Sequence, residues 1–109
     1  MDVLIVDDEP TTRAMLTMVI KAWGYNPIAV ESGRTAWQLL QQPAAPRLLL
    51  LDWLMPELDG LQLCKKIRHQ PSSDPAYIIL LTARTETKYI IEGLNAGAND
   101  YISKPFDDG

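Results

Sequence analysis

Four consecutive leucines, Leu48–Leu51, run directly into Asp52. So short an uninterrupted apolar run leaves no face for solvent. It reads as a strand buried on both sides, as in a parallel sheet covered by helices. Two further runs follow the pattern: Val3–Val6 leads into Asp7 and Asp8, and Tyr77–Leu81 leads into Thr82. A charge that closes a buried strand is open to ligand while its neighbours are locked in the core. Three such carboxylates at one sheet edge repel each other unless a cation joins them.

Between these runs the pattern is helical. Pro10 suits the first turn of a helix, where its missing N–H costs nothing, and that helix extends through Trp23 to a stop at Gly24. A second strand covers about 26–30, and Ser32 can cap a helix carrying Ala36, Trp37, Leu39 and Leu40. Pro43 and Pro46 break the chain before the strand at 47–51. A turn over Met55–Gly60 opens a third helix presenting Leu63, Cys64 and Ile67, and a polar loop spans Gln70–Pro75. The fourth helix runs from Glu86 to Ala96 with Gly97 as terminator, and a fifth strand lies near 100–103. The alternation predicts an α/β fold, a doubly wound five-stranded parallel sheet. In such folds the ligand crevice lies beyond the carboxyl ends of the strands. That rule gathers Asp7, Asp8, Asp52, Thr82 and Lys104 into one site.

A chain of 109 residues, 47% hydrophobic and 22% charged, makes one ordinary globular domain over residues 1–109. Its net charge of -4 argues against direct, non-specific nucleic-acid binding. No apolar run approaches the roughly 20 residues of a membrane span, and no signal peptide precedes the first strand, so a cytoplasmic protein is expected. The lone Cys64 reads as a small buried hydrophobe, and His69 has no second His or Cys nearby with which to hold a metal. Trp23 and Trp37 are expected in the core, and Trp53 on the surface beside Asp52.

The chemistry follows from the residue types. No Ser–His or Cys–His pair is available, which leaves Asp52 as nucleophile, and a carboxylate can attack phosphorus to give an aspartyl phosphate. Mg²⁺ held by a few carboxylates and waters would neutralise the transferring oxygens, with Asp7 and Asp8 as its anchor. Lys104 supplies a mobile positive charge, Thr82 a hydroxyl donor, and the small Ala83 leaves room beside it. Each residue also has a plainer reading. Asp7–Asp8–Glu9 could simply favour a helix N-terminus, Thr82 could be a strand-end hydroxyl, Lys104 could be solvated, and Tyr101 could be half-buried strand filler.

Taken together, Asp7–Asp8–Glu9, Leu51–Asp52–Trp53–Leu54–Met55–Pro56 with Asp59–Gly60, Leu81–Thr82–Ala83, and Gly97–Phe106 resemble the receiver domain of two-component response regulators. The motifs occur in the family's order over nearly the whole chain. The resemblance implies a flavodoxin-like strand order 2-1-3-4-5 and Asp52 as phospho-acceptor from a sensor histidine kinase or phosphotransfer protein. It implies Mg²⁺ (or Mn²⁺) bound by Asp8, Asp52 and the backbone carbonyl of Leu54, with Asp7 acting mainly through water. Thr82 and Tyr101 would be the switch pair, relaying the change to the helix 4–strand 5 face. Lys104 would pair with the phosphoryl group, and the Lys104–Pro105 bond would be cis. Leu54 and Arg84, each two residues past a site residue, would tune phosphate lifetime, with slow self-dephosphorylation expected. A C-terminal output domain and a homodimer are open to such a domain. Two other readings compete: a degenerate receiver that binds partners without phosphorylation, and a phosphatase of the haloacid-dehalogenase kind. The latter resemblance fails at Leu54, where those enzymes place a second acid.

One feature departs from the family. A fifth helix normally follows the Lys–Pro–Phe turn, and this chain stops at Asp107–Asp108–Gly109. Between Arg13 and Trp23 the polar residues of the first helix, Arg13, Thr17 and Lys21, form one narrow stripe, and the rest is apolar. So apolar a helix wants more than one neighbour. The domain is therefore expected to be truncated before its C-terminal helix, the gap being filled by further chain, another subunit or a partner.

Overall fold

Among the described residues, strands and helices alternate: β1 (Asp2–Val6), α1 (Pro10–Ala22), β2 (Asn26–Val30), α2 (Gly33–Leu40), β3 (Leu48–Asp52), α3 (Gly60–His69), β4 (Tyr77–Thr82), α4 (Thr87–Asn95) and β5 (Asp100–Ser103). The computed structural model describes residues 1–72, 74–83 and 86–103. The helix starts follow local chemistry. Ser32 Oγ accepts from Thr35 N at 3.1 Å. Asp59 and Gln62 form a reciprocal capping box, at 2.9 Å and 3.0 Å. Gly24 and Gly97 close α1 and α4 at φ 89° and 113°, values that favour glycine.

The five strands are all parallel, as the alternation predicts, in the order β2-β1-β3-β4-β5 that the resemblance implies. The winding reverses between β1 and β3. Along β3 the side chains alternate faces. Leu49, Leu51 and Trp53 enter one core with Leu4, Val6, Leu63, Cys64, Ile78 and Leu80, beneath α2, α3 and α4. Leu50 enters the other, with Val3, Ile5, Leu81 and the α1 residues Leu16 and Ile20.

Two tryptophans differ from expectation. Trp53 is 2% exposed, because the β3 alternation carries it into the larger core. Trp23 is 69% exposed, because it lies at the C-cap of α1, beyond the turn that packs on the sheet. Cys64 is buried as expected, its Sγ 3.5 Å from the Ala96 carbonyl. Burial pushes its thiol above the ordinary 9.0, with Arg68 pulling weakly the other way. No helix among the described residues is long and apolar enough to cross a membrane.

Beside α1 the sheet carries an open apolar groove of about 590 Å³, lined by Val3, Leu16, Ile20, Leu50, Ile79 and Leu81 among others. At its rim and along α1, Met18, Trp23, Tyr25 and Ile102 are exposed. The expectation that α1 needs a second neighbour corresponds to this groove.

Candidate functional site

Register brings the strand ends together. Val6 pairs with Leu51, and Asp52 pairs with Leu81. Asp7, one residue past β1, therefore lies beside Asp52, and Thr82 follows the Asp52 partner on the other side. Asp7, Asp8 and Asp52 each offer a carboxylate oxygen within 4.8 Å of the others, Asp7 and Asp52 buried and Asp8 exposed. Thr82 is buried at 2% exposure and pairs with Ser103 of β5.

The surrounding backbone is tightly placed. Glu9 N donates to Asp7 Oδ1 at 2.9 Å, and Arg13 Nη1 donates to the Asp7 carbonyl at 2.8 Å. These bonds orient the β1–α1 turn that carries the acids. Glu9 itself caps α1, accepting from Thr12 N at 2.8 Å and also from the Thr12 hydroxyl. On the far side, Gly60 N donates to the Trp53 carbonyl at 2.9 Å. A Cβ on Gly60 would lie 2.3 Å from the Asp52 carbonyl oxygen, so α3 starts against β3 only because residue 60 is glycine.

Leu54 lies two residues past Asp52 and is 53% exposed. Tyr101 is half-buried and packs against the larger core. Its hydroxyl oxygen is buried, with no hydrogen-bond partner among the described residues, and burial pushes the phenol above its ordinary 10.0. Arg84, Lys104 and the Lys104–Pro105 bond lie outside the described residues. Sequence reasoning placed Glu9 and Gly60 in motifs and Arg13 in the polar stripe of α1 without giving them these roles, and the reach of Arg13 to a carbonyl six residues back leaves no sequence pattern.

Three acidic oxygens gathered at the carboxyl ends of β1 and β3 are a hard-oxygen donor set of the kind that suits Mg²⁺. The description "Response regulator receiver domain" matches residues 3–109. This chain belongs to the response regulator receiver domain family. The receiver is 38% identical over 104 residues to the phosphate regulon transcriptional regulatory protein PhoB of Klebsiella pneumoniae, covering 95% of this chain and 45% of that protein. The chain thus spans about half the length of the curated relatives it matches. Among solved structures, the receiver domain of Francisella response regulator 1452 superposes with a TM-score of 0.88 at 31% identity, covering 96% of this chain and 84% of that one. The signal receiver domain of a signal transduction histidine kinase from Syntrophus aciditrophicus gives 0.85 at 36% identity, covering 95% and 78%.

Proposed function

We propose that Asp52 is the phospho-acceptor of a two-component signalling switch. What carries this reading is the meeting of Asp7, Asp8 and Asp52 within 4.8 Å at the end of the acceptor strand. A carboxylate oxygen of Asp52 attacks phosphorus in line. The P–N bond to the histidine of a sensor kinase or phosphotransfer protein breaks, and the imidazole leaves. Asp8 and Asp52 would hold Mg²⁺ (or Mn²⁺) directly with the Leu54 carbonyl, and Asp7 would hold it through water. The bound ion supplies charge neutralisation at the phosphoryl oxygens. Lys104 pairs with one of those oxygens and Thr82 donates its hydroxyl to another.

Thr82 and Tyr101 form the relay. When the Thr82 hydroxyl moves to the phosphoryl group, the Tyr101 ring sits inward behind it, and the helix 4–strand 5 face changes. This is a population shift between two arrangements, set by the differential binding of one phosphoryl group. The apolar Leu54 gives an attacking water no partner, and Arg84 could either shield the phosphoryl group or order a water; the aspartyl phosphate is expected to be long-lived. Leu54→Asn should shorten its half-life; an unchanged or longer half-life removes this role. The receiver works in the cytoplasm beside its kinase, and its output lies in an attached domain, a partner or a homodimer. A further helix after Gly109 would cover the groove beside α1.

Intact mass after incubation with Mg²⁺ and acetyl phosphate, beside Asp52→Ala, tests the reading. One added phosphoryl group in the parent alone is expected. No gain in a folded parent would favour a phosphorylation-independent interaction module.

A further inference from the structure

The chain carries 14 acidic residues against 10 lysines and arginines, yet two neighbouring helices hold none of the acids. α2 and α3 pack side by side and contain Arg34, Lys65, Lys66 and Arg68 with no Asp or Glu. Part of this segregation follows from the helix macrodipole. Lys66, Arg68 and His69 fill the last turn of α3, whose negative end favours cations. The dipole does not explain Lys65, which precedes that turn. It opposes Arg34, which stands in the first turn of α2 at the positive end.

These cations surround an aromatic ring. Lys66 Nζ lies over the half-buried Trp37 ring of α2, 4.6 Å from its centroid. The contact holds the ammonium against a flat apolar surface, so less side-chain freedom is lost when an anion meets it. Trp37 and Lys66 border two open depressions. One, of about 460 Å³, also has Lys65 and His69 on its wall, and the other, of about 450 Å³, has Arg34 and Glu57. Glu57 shows how a carboxylate seats on this face, with its Oε1 3.2 Å from Arg34 Nη2. Both side chains of that pair are 73% exposed, so the pair is weak and open to exchange. Lys65 and Lys66 form no ion pair among the described residues.

We propose that the α2–α3 face is a docking surface for an acidic protein segment. Its carboxylates would meet Lys65, Lys66 and Arg34 while an apolar side chain lies against Trp37. Range favours a short segment over nucleic acid or an anionic bilayer. At physiological salt, charges act over only about 8 Å, so a segment held on this face feels the local cations. A polyanion long enough to pass over the rest of the chain meets a net charge of -4. Docking here is independent of whether Asp52 accepts a phosphoryl group.

Titration of this chain with a short synthetic peptide of glutamates around one leucine, followed by amide NMR shifts, tests the proposal. Saturable binding at roughly millimolar or tighter is expected, with shifts confined to α2, α3 and the turn at Glu57. The same peptide with glutamine at every glutamate should not bind. Lys65→Gln and Lys66→Gln should each weaken binding by up to about fivefold. Lys21→Gln, the same charge lost from α1, should leave it unchanged. Both α3 lysines are exposed, so folding should survive either change; should Lys66→Gln unfold, Lys65→Gln decides. No saturation in that range overturns the proposal, as do shifts centred elsewhere or an equal loss in Lys21→Gln. An oligothymidylate, or vesicles of anionic lipid, that bind this face more tightly than the peptide overturn it in favour of nucleic acid or membrane. Self-association of the peptide-free chain that Lys66→Gln abolishes overturns it in favour of a second copy.

Discussion

The two faces of the sheet use the same strands and the same aliphatic residues, yet they are finished differently. On one, Leu49, Leu51, Ile78 and Leu80 lie at 0% exposure beneath α2, α3 and α4. On the other, Leu50 and Leu81 are covered by α1, while Leu48 and Ile79 are half-buried along an open groove of about 590 Å³. Neighbours in one strand, such as Ile78 and Ile79, therefore live in different environments. The difference teaches that burial in this domain is set by how many helices lie over a face, and hardly by the strand's own hydrophobicity. It also separates two tasks. The closed face carries Trp53, the base of α4 and the half-buried Tyr101. The open face carries the apolar groove beside α1.

The sharpest test of that contrast is a pair of truncations side by side in β4. Ile78→Ala leaves a cavity in a closed core and should lower stability by about 3–4 kcal/mol, whereas Ile79→Ala should cost only about 1 kcal/mol. Urea unfolding of both proteins measures it, and equal losses would break the comparison. Next in size is the effect of covering the groove. A receiver carrying a further helix after Gly109 should melt roughly 10 °C higher and self-associate less, since apolar area leaves water. Calorimetry and sedimentation read both quantities, and no change in either would mean the face needs no cover.

Smaller still is Trp23→Ser. Removing an indole that is 69% exposed should reduce self-association in sedimentation and leave stability within about 0.5 kcal/mol of the parent. The smallest effect comes from the closed face. The Cys64 thiol is raised above 9.0 by burial, so its contribution is intact below the free-thiol pKa and is lost as pH rises towards the raised value. Cys64→Ala should therefore flatten part of the alkaline fall in stability, measured by urea unfolding at neutral and alkaline pH. An identical slope in both proteins would show that another group carries that fall.

The elements were legible because their signals are local. Pro10 at the start of α1, Ser32 as a cap, Gly24 and Gly97 as stops, and the continuous apolar runs each act over a few residues. The meeting of Asp7, Asp8 and Asp52 was legible too, since parallel strands in this winding must present their carboxyl ends along one edge. The tryptophans were not. Trp53 follows an all-apolar strand, in which nothing marks which alternate residues face which core. Trp23 ends an apolar helix whose second neighbour no local pattern places.

By itself, then, the sequence determined the order of strands and helices, the parallel sheet and the acidic edge, because each follows from short-range preferences and one rule of winding. Only the tertiary structure decided that Trp53 packs against Gly93 and Tyr89 of α4, that Arg13 holds the Asp7 carbonyl, and that one face closes while the other stays open. Those outcomes depend on register and on which helix lies over which strand, and the relevant residues are six to forty positions apart along the chain.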